Sequence, residues 1–249
     1  MVTLRGLLWA LRNLLVMPRY FSNWYKLLIF PSIGILRDYN LKFYFPSLRD
    51  LAYDSYVLRE NFFDHQYDWL NVLGRTVIDI GANMGDTAIL FAYKGAKKVI
   101  AYEPYPYQYI KAKKNIALNH MENKIKIFRV GVSNNENEIL IKDGYTDGSQ
   151  SLNTSKEGII TKTITLSKVI EKYNPTILKS DCEGSEYEII FSTPPNRLAQ
   201  FRQMIIDYHN RGYRTLETYI QKAGFSIKRR EYNNVSGMLK CMRKNRNVT

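Results

Sequence analysis

Cysteine is nearly absent from this chain: Cys182 and Cys241 are the two among 249 residues, and they form no C-x-x-C pair. That scarcity excludes a disulfide framework and a cysteine-based zinc site. The first 36 residues hold no uninterrupted apolar run of bilayer-spanning length, because charges break each candidate. They also lack a small-residue cleavage site, and Arg12 stands inside the apolar stretch, which argues against a signal peptide. Acidic residues are in deficit, 23 against 36 basic, for a net charge of +13. Such a balance favours anionic partners without choosing among nucleic acid, membrane surface and phosphorylated carriers. Apolar content of 45% excludes a disordered chain, and the length suits one α/β domain plus a modest extension.

A dinucleotide fingerprint is missing too. Residues 77–86, VIDIGANMGD, read as a buried strand, a glycine turn and a helix start, and VIAYEP closes a second strand on Glu103. A pyrophosphate binder wants G-x-G-x-x-G and a bare helix N-terminus. Here the turn carries Gly81, Asn83 and Gly85, with Asp86 at the helix start. A carboxylate in that place repels phosphate and suits a cationic or zwitterionic ligand. Glu103, about 20 positions beyond Gly81, can accept from both hydroxyls of a ribose. S-adenosylmethionine meets these demands: ribose, adenine, amino-acid tail and sulfonium, with no phosphate. The competing reading is a glycine turn of another α/β protein with Glu103 at its surface.

Alternation continues downstream. Residues 105–120 read as a helix, 124–132 as a strand, and 134–143 with 151–164 as hairpins inserted at the ligand-facing edge. A short helix at 166–173, a strand ending ILKSDCEG, a helix at 185–191, a strand at 204–208 and a helix at 214–223 follow. Residues 225–231 and 235–242 face each other across a turn. The expected fold is α/β: a Rossmann-like, doubly wound, seven-stranded sheet with a C-terminal antiparallel hairpin. An amphipathic, α-helical N-terminal extension precedes it, which divides the chain at 1–70 and 71–249. In that extension Leu4, Leu7, Leu8, Leu11, Leu14 and Leu15 form a helical stripe, with Arg5, Arg12, Arg19 and Lys26 spaced every seven residues beside it. Pro18 should divide it into two short helices. Residues 1–30 are expected to meet an anionic membrane surface, which would make a cytoplasmic protein peripheral at the membrane's cytoplasmic face. Packing on the chain's own domain and a dimer contact are the competing readings. Residues 39–69 are aromatic-rich without a clear period, either a cover over the acceptor site or a cap on the sheet.

The segments DIGANMGDT, KGAKKVIAYEPYP, ILKSDCEGSEYEII and IIDYHN, spread over residues 75–242 in order, resemble the FkbM family of class I S-adenosylmethionine-dependent methyltransferases. The resemblance implies O-methylation, mostly of sugar or other alcohol hydroxyls, and does not cover the first 70 residues.

Ligands of such sheets bind beyond the carboxyl ends of the strands. Asp79, Gly81, Asn83, Gly85, Asp86 and Glu103 are expected at the cofactor, with Gly131 and Ser133 bordering the adenine. His209 is the first candidate for the base that takes the acceptor's proton, with strand-end capping as its structural alternative. Asp181 and Glu183 would share one side of an extended strand and act as base or orient His209. Without a clear third ligand they make a poor metal site, and no metal is expected. Glu183 as the cap of the following helix is the alternative. The expected acceptor is a saccharide, glycolipid or related metabolite. A nucleic-acid (RNA) methyltransferase and a non-catalytic cofactor-binding interaction protein are the rivals. Nucleic acid is not expected, because the place of a D/N-P-P-aromatic motif reads DCEG and the PP pair at Pro194 comes about ten residues late.

Overall fold

The computed structural model describes residue 15 and residues 17–141, 158–209 and 212–244. A small antiparallel pair, β1 (Ser32–Ile35) and β2 (Lys42–Phe45), comes first, then helix α1 (Leu48–Leu58), which runs into a wider π turn at Arg59–Phe63. Ser47 starts α1 by accepting the Asp50 amide at its hydroxyl, the role of an N-cap. Alternating elements follow: β3 (Thr76–Ile80), α2 (Asp86–Tyr93), β4 (Lys98–Tyr102), α3 (Pro106–Leu118) and β5 (Ile125–Phe128). Three short strands, β6 (Gly131–Ser133), β7 (Glu138–Ile141) and β8 (Ile159–Thr165), make a separate sheet. The chain ends with α4 (Leu166–Tyr173), β9 (Ile177–Ser180), α5 (Glu186–Ser192), α6 (Pro195–Leu198), β10 (Gln203–Tyr208), α7 (Tyr213–Lys222), β11 (Phe225–Glu231) and β12 (Gly237–Arg243).

The main sheet has the order β11-β12-β10-β9-β3-β4-β5, parallel from β10 to β5 and antiparallel at the β11–β12 hairpin. This is the expected seven-stranded, doubly wound arrangement. Strand order reverses at β3 and β9, so the crevice opens beyond Ile80 and Ser180. Side chains alternate between two cores. Val77, Val99 and Ile205 face one, while Ile78, Ile100 and Ile206 face the other. Buried residues of the N-terminal segment, among them Phe21, Leu36, Phe43, Leu58 and Phe62, join the first core and cover that face of the sheet.

The structure departs from the sequence reading at two elements. The second short helix expected after Pro18 is not found: Pro18 lies within the helical segment Met17–Tyr20, and the chain then enters a 3₁₀ turn at Trp24–Lys26 and β1. Asn23 draws it there by bonding the Ile33 carbonyl and Ile35 amide at 2.8 and 2.9 Å. Residues 1–14, with most of the leucine stripe, lie outside the described residues. The strand expected over 124–132 breaks after Phe128. Beside it the Glu103 amide uses the Phe128 carbonyl, and the next amide on that side of the strand, Tyr105, turns to Glu103 Oε1 at 3.0 Å instead of continuing the ladder. Gly131–Ser133 instead pairs with β8, which also forms the expected hairpin with β7. Among the described residues no helix is long and apolar enough to cross a membrane.

Side chains of α3 close the free edge of β2. Asn119 bonds both the amide and carbonyl of Lys42 at 2.8 Å, and Asn115 takes the Tyr44 amide at 2.8 Å. One turn away, Lys111 Nζ lies 3.0 Å from Asp50 Oδ1 and 3.0 Å from Asp54 Oδ2, all three side chains buried. Burial pushes the Asp54 carboxyl up to about 7, against the pull of Lys111. Removing the ammonium strands buried carboxylates. Lys111→Ala should cost about 3–5 kcal/mol in chemical denaturation near neutral pH. A carboxyl held above its unfolded range favours the folded state most when protonated, so the loss should be smaller at pH 5 than at pH 8.

Candidate active site

The turn after β3 is shaped by glycine. Gly81 has φ +75°, and a Cβ there would lie 1.8 Å from the Asp181 carbonyl oxygen, so the ends of β3 and β9 touch only because the side chain is missing. Gly85, at φ +83°, packs on Ala112 and starts α2. Between them Asn83, also left-handed, turns its amide to Glu103 Oε2 at 2.8 Å, while the Tyr105 amide meets Oε1 at 3.0 Å. Burial pushes the Glu103 carboxyl up to about 7, although those two N–H groups pull it down. Each oxygen retains capacity for a further donor.

This carboxylate opens onto a cavity of about 250 Å³, near the lower end of small-molecule sites at roughly 300 Å³. Gly81, Asn83 and Asp86 form its floor with Glu103, and Tyr53, Tyr56 and Asn61 cover it from α1 and the π turn. The aromatic-rich segment therefore contributes wall to the site as well as core to the domain. Asn83 Oδ1 and Asp86 Oδ1 are buried without a hydrogen-bond partner among the described residues. Asp86 Oδ2 accepts from Asn61, and burial raises this carboxyl to about 6 despite the ammonium of Lys179.

Behind the floor, Lys179 reaches from the middle of β9 into the same end of the sheet. Its Nζ stands 3.2 Å from Asp79 Oδ1, 2.7 Å from the Gly81 carbonyl and 3.3 Å from that of Ile80. Burial alone would lower its pKa, but Asp79, Asp181 and Asp86 raise it, so it stays charged. Asp79 also accepts from Thr87 in the first turn of α2 at 2.7 Å.

Against Asp181 and Glu183 of the cavity lining stands an imidazole among carboxylates. His209 Nδ1 is 2.7 Å from the buried Glu186, and Nε2 is 3.8 Å from Asp181 Oδ1 and 3.4 Å from Glu183 Oε2. Burial alone would lower its pKa, yet the Glu186 hydrogen bond and the charges of Glu186, Asp181 and Glu183 lift it to about 9. Beneath it, burial and Asp181 raise the Asp207 carboxyl, which accepts from Tyr232 at 2.9 Å. Tyr67 stands between Asp207 and Asp181 at 3.4 and 3.5 Å.

Of the expected residues, Gly81, Asn83, Asp86, Glu103, Gly131, Asp181 and Glu183 line the cavity. Asp79, Gly85 and His209 are not in the lining but adjoin residues that are: Asp79 contacts Lys179 and Thr87, Gly85 precedes Asp86, and His209 contacts Asp181 and Glu183. Ser133 is not in the lining and bonds Glu188 at 3.1 Å instead. Asp181 and Glu183 do not share a strand face, since β9 ends at Ser180 and Glu183 is left-handed at φ +56°. They converge on His209 by the turn. Glu183 is also not the cap of α5: Glu186 takes the amides of Cys182 and Gly184. Sequence reading missed Lys179, Glu186, Asp207 and Tyr67. For Glu186 a signal existed, a third carboxylate three residues after Glu183 in DCEGSE. With Asp181 and His209 it forms a group whose donor atoms lie within 4.8 Å, a different set from the Asp181–Glu183 pair considered in the sequence. The imidazole already occupies Glu186, and a cation entering there would displace that proton.

Residues 79–227 match the methyltransferase FkbM domain. The methyltransferase sdnD of Sordaria araneosa is 23% identical over 215 residues, covering 70% of this chain and 83% of that protein. The crystal structure of the methyltransferase FkbM from Methylobacillus flagellatus KT superposes with a TM-score of 0.54 at 14% identity. It matches 93% of this chain, which spans 58% of that longer one, and the likeness is one of fold. With the family match running from the Asp79 turn through the His209 group to β11, this chain belongs to the FkbM methyltransferases.

Proposed function

We propose that the enzyme transfers a methyl group from S-adenosylmethionine to a hydroxyl of a saccharide, glycolipid or related metabolite. The observation that carries this reading is that one cavity is lined both by Glu103 beside the left-handed Gly81 turn and by Asp181 and Glu183, the carboxylates that His209 contacts. Glu103 would take the ribose hydroxyls, and the unpartnered oxygens of Asn83 and Asp86 would take further donors. The acidic wall suits the positive sulfonium and ammonium and would repel a phosphate.

When bound, S-adenosylmethionine supplies a methyl group on a positively charged sulfur. Alignment in the cavity then carries much of the rate. His209 takes the acceptor's proton at Nε2 while Glu186 holds Nδ1 and stabilises the imidazolium that results. With its pKa at about 9, the free ring is neutral in roughly one molecule in a hundred at pH 7. The group therefore becomes competent as pH rises.

With saturating cofactor, turnover should rise about tenfold per unit from pH 6 to 8 and level near 9. A flat profile would transfer the base role to Asp181. His209→Ala should lower turnover about a hundredfold or more and leave cofactor affinity, read by calorimetry, unchanged. Glu103→Ala should weaken that affinity about tenfold or more, the worth of charged hydrogen bonds lost. The acceptor class is tested by transfer of a labelled methyl into fractionated extract of the source cells. Label in glycolipid or polysaccharide, lost with Glu103→Ala, supports the reading. Label in nuclease-sensitive material would replace the sugar acceptor by nucleic acid.

A further inference from the structure

Single exposed apolar side chains are ordinary on a protein surface, but a cluster of large ones calls for a partner. Between residues 24 and 33 five such side chains stand in solvent: Trp24 at 43% exposure, Tyr25 at 61%, Leu28 at 63%, Ile29 at 78% and Ile33 at 39%. The loop that presents them is built to hold its shape. Leu27, between the exposed pairs, is wholly buried, and its amide closes the 3₁₀ turn on the Trp24 carbonyl at 3.0 Å. Asn23 ties the base of the loop to Ile33 and Ile35, the Ser22 amide meets the Ile35 carbonyl at 3.0 Å, and β1 pairs with β2. The tip, Leu28 and Ile29, is thus displayed on an anchored frame, with Trp24 and Tyr25 in edge contact behind it.

The charge of this region is one-sided. Residues 1–37 contain Arg5, Arg12, Arg19, Lys26 and Arg37 and no aspartate or glutamate. Lys26 lies inside the apolar loop and is itself exposed. Apolar tip, amphipathic aromatics and basic side chains, in a chain whose described helices cannot cross a bilayer, are the ingredients of a surface that lies in a lipid interface. A second copy of this chain would bring the same basic residues against themselves.

We propose that the Trp24–Ile33 loop docks the enzyme on an anionic lipid surface. Leu28 and Ile29 enter the acyl boundary, Trp24 and Tyr25 lie at headgroup level, and Lys26 meets the lipid charge. This differs from the helix pair expected over the first 30 residues: the docking element is the folded loop, and it is independent of which hydroxyl is methylated.

The test is co-sedimentation of the full chain with vesicles of phosphatidylcholine alone and with 30% phosphatidylglycerol, for wild type, Leu28→Asp/Ile29→Asp and Lys26→Glu. Wild type should bind the anionic vesicles. The double substitution should lower the partition coefficient about tenfold or more, with an unchanged melting temperature and cofactor affinity. Lys26→Glu should weaken binding to anionic vesicles and leave binding to neutral ones unchanged. Wild-type binding that survives the double substitution, or no binding to anionic vesicles, would overturn the proposal. So would a concentration-dependent dimer that the double substitution abolishes, since the loop would then be a contact between copies.

Discussion

The ammonium of Lys179 is the cation on which this site is assembled. It rises from β9 and compensates Asp79 of the neighbouring strand at 3.2 Å, and it donates to the carbonyls of the turn that follows β3. Asp79 in turn accepts from Thr87 at the start of α2. One buried charge therefore joins β9, β3, the Gly81 turn and the helix behind it. A buried carboxylate without a partner costs several kcal/mol, so the lysine and Asp79 are conditions of each other. The tight approach of Gly81 to the Asp181 carbonyl, with no room for a Cβ, is the backbone counterpart of this clamp.

Around the clamp, charge is distributed against the sign of the whole molecule. The chain carries +13, yet Asp86, Glu103, Asp181 and Glu183 line one cavity, with Asp79, Glu186 and Asp207 behind. Lys179 and His209 are the cations placed among them. Surrounding carboxylates raise both of those pKa values against the effect of burial. Water exclusion strengthens every such interaction, so the crevice would favour positive ligands although the net charge of the outer surface would favour negative ones. A cationic methyl donor inside and an anionic surface outside are compatible within one fold because burial separates the two fields.

How much of this was readable in the residues follows from what each signal depends on. Apolar runs such as VIDI and VIAY, and the turn between them, depend on local chemistry, and their strands, helix and glycine geometry are found where they were expected. Glu103 was legible because its place at a strand end follows from the same unit. Lys179 was not, because a lysine in a short apolar strand reads as an interruption until the parallel neighbour brings Asp79 beside it. Glu186 and Asp207 depend on the turn after Ser180 and on what the C-terminal end of β10 packs against, which are tertiary facts. The break after Phe128 likewise came from the Tyr105 amide turning to the Glu103 carboxylate. His209 was placed correctly at a strand end, but its raised pKa comes from carboxylates on another element.

The central claim, that the crevice between β3 and β9 holds a nucleoside by Glu103 and presents a methyl donor toward His209, is met most directly by a crystal structure with S-adenosylhomocysteine. The account predicts both ribose hydroxyls within hydrogen-bond distance of the Glu103 carboxylate and the sulfur directed toward Asp181 and His209. A ligand seated elsewhere, or one whose ribose leaves Glu103 unengaged, would contradict it.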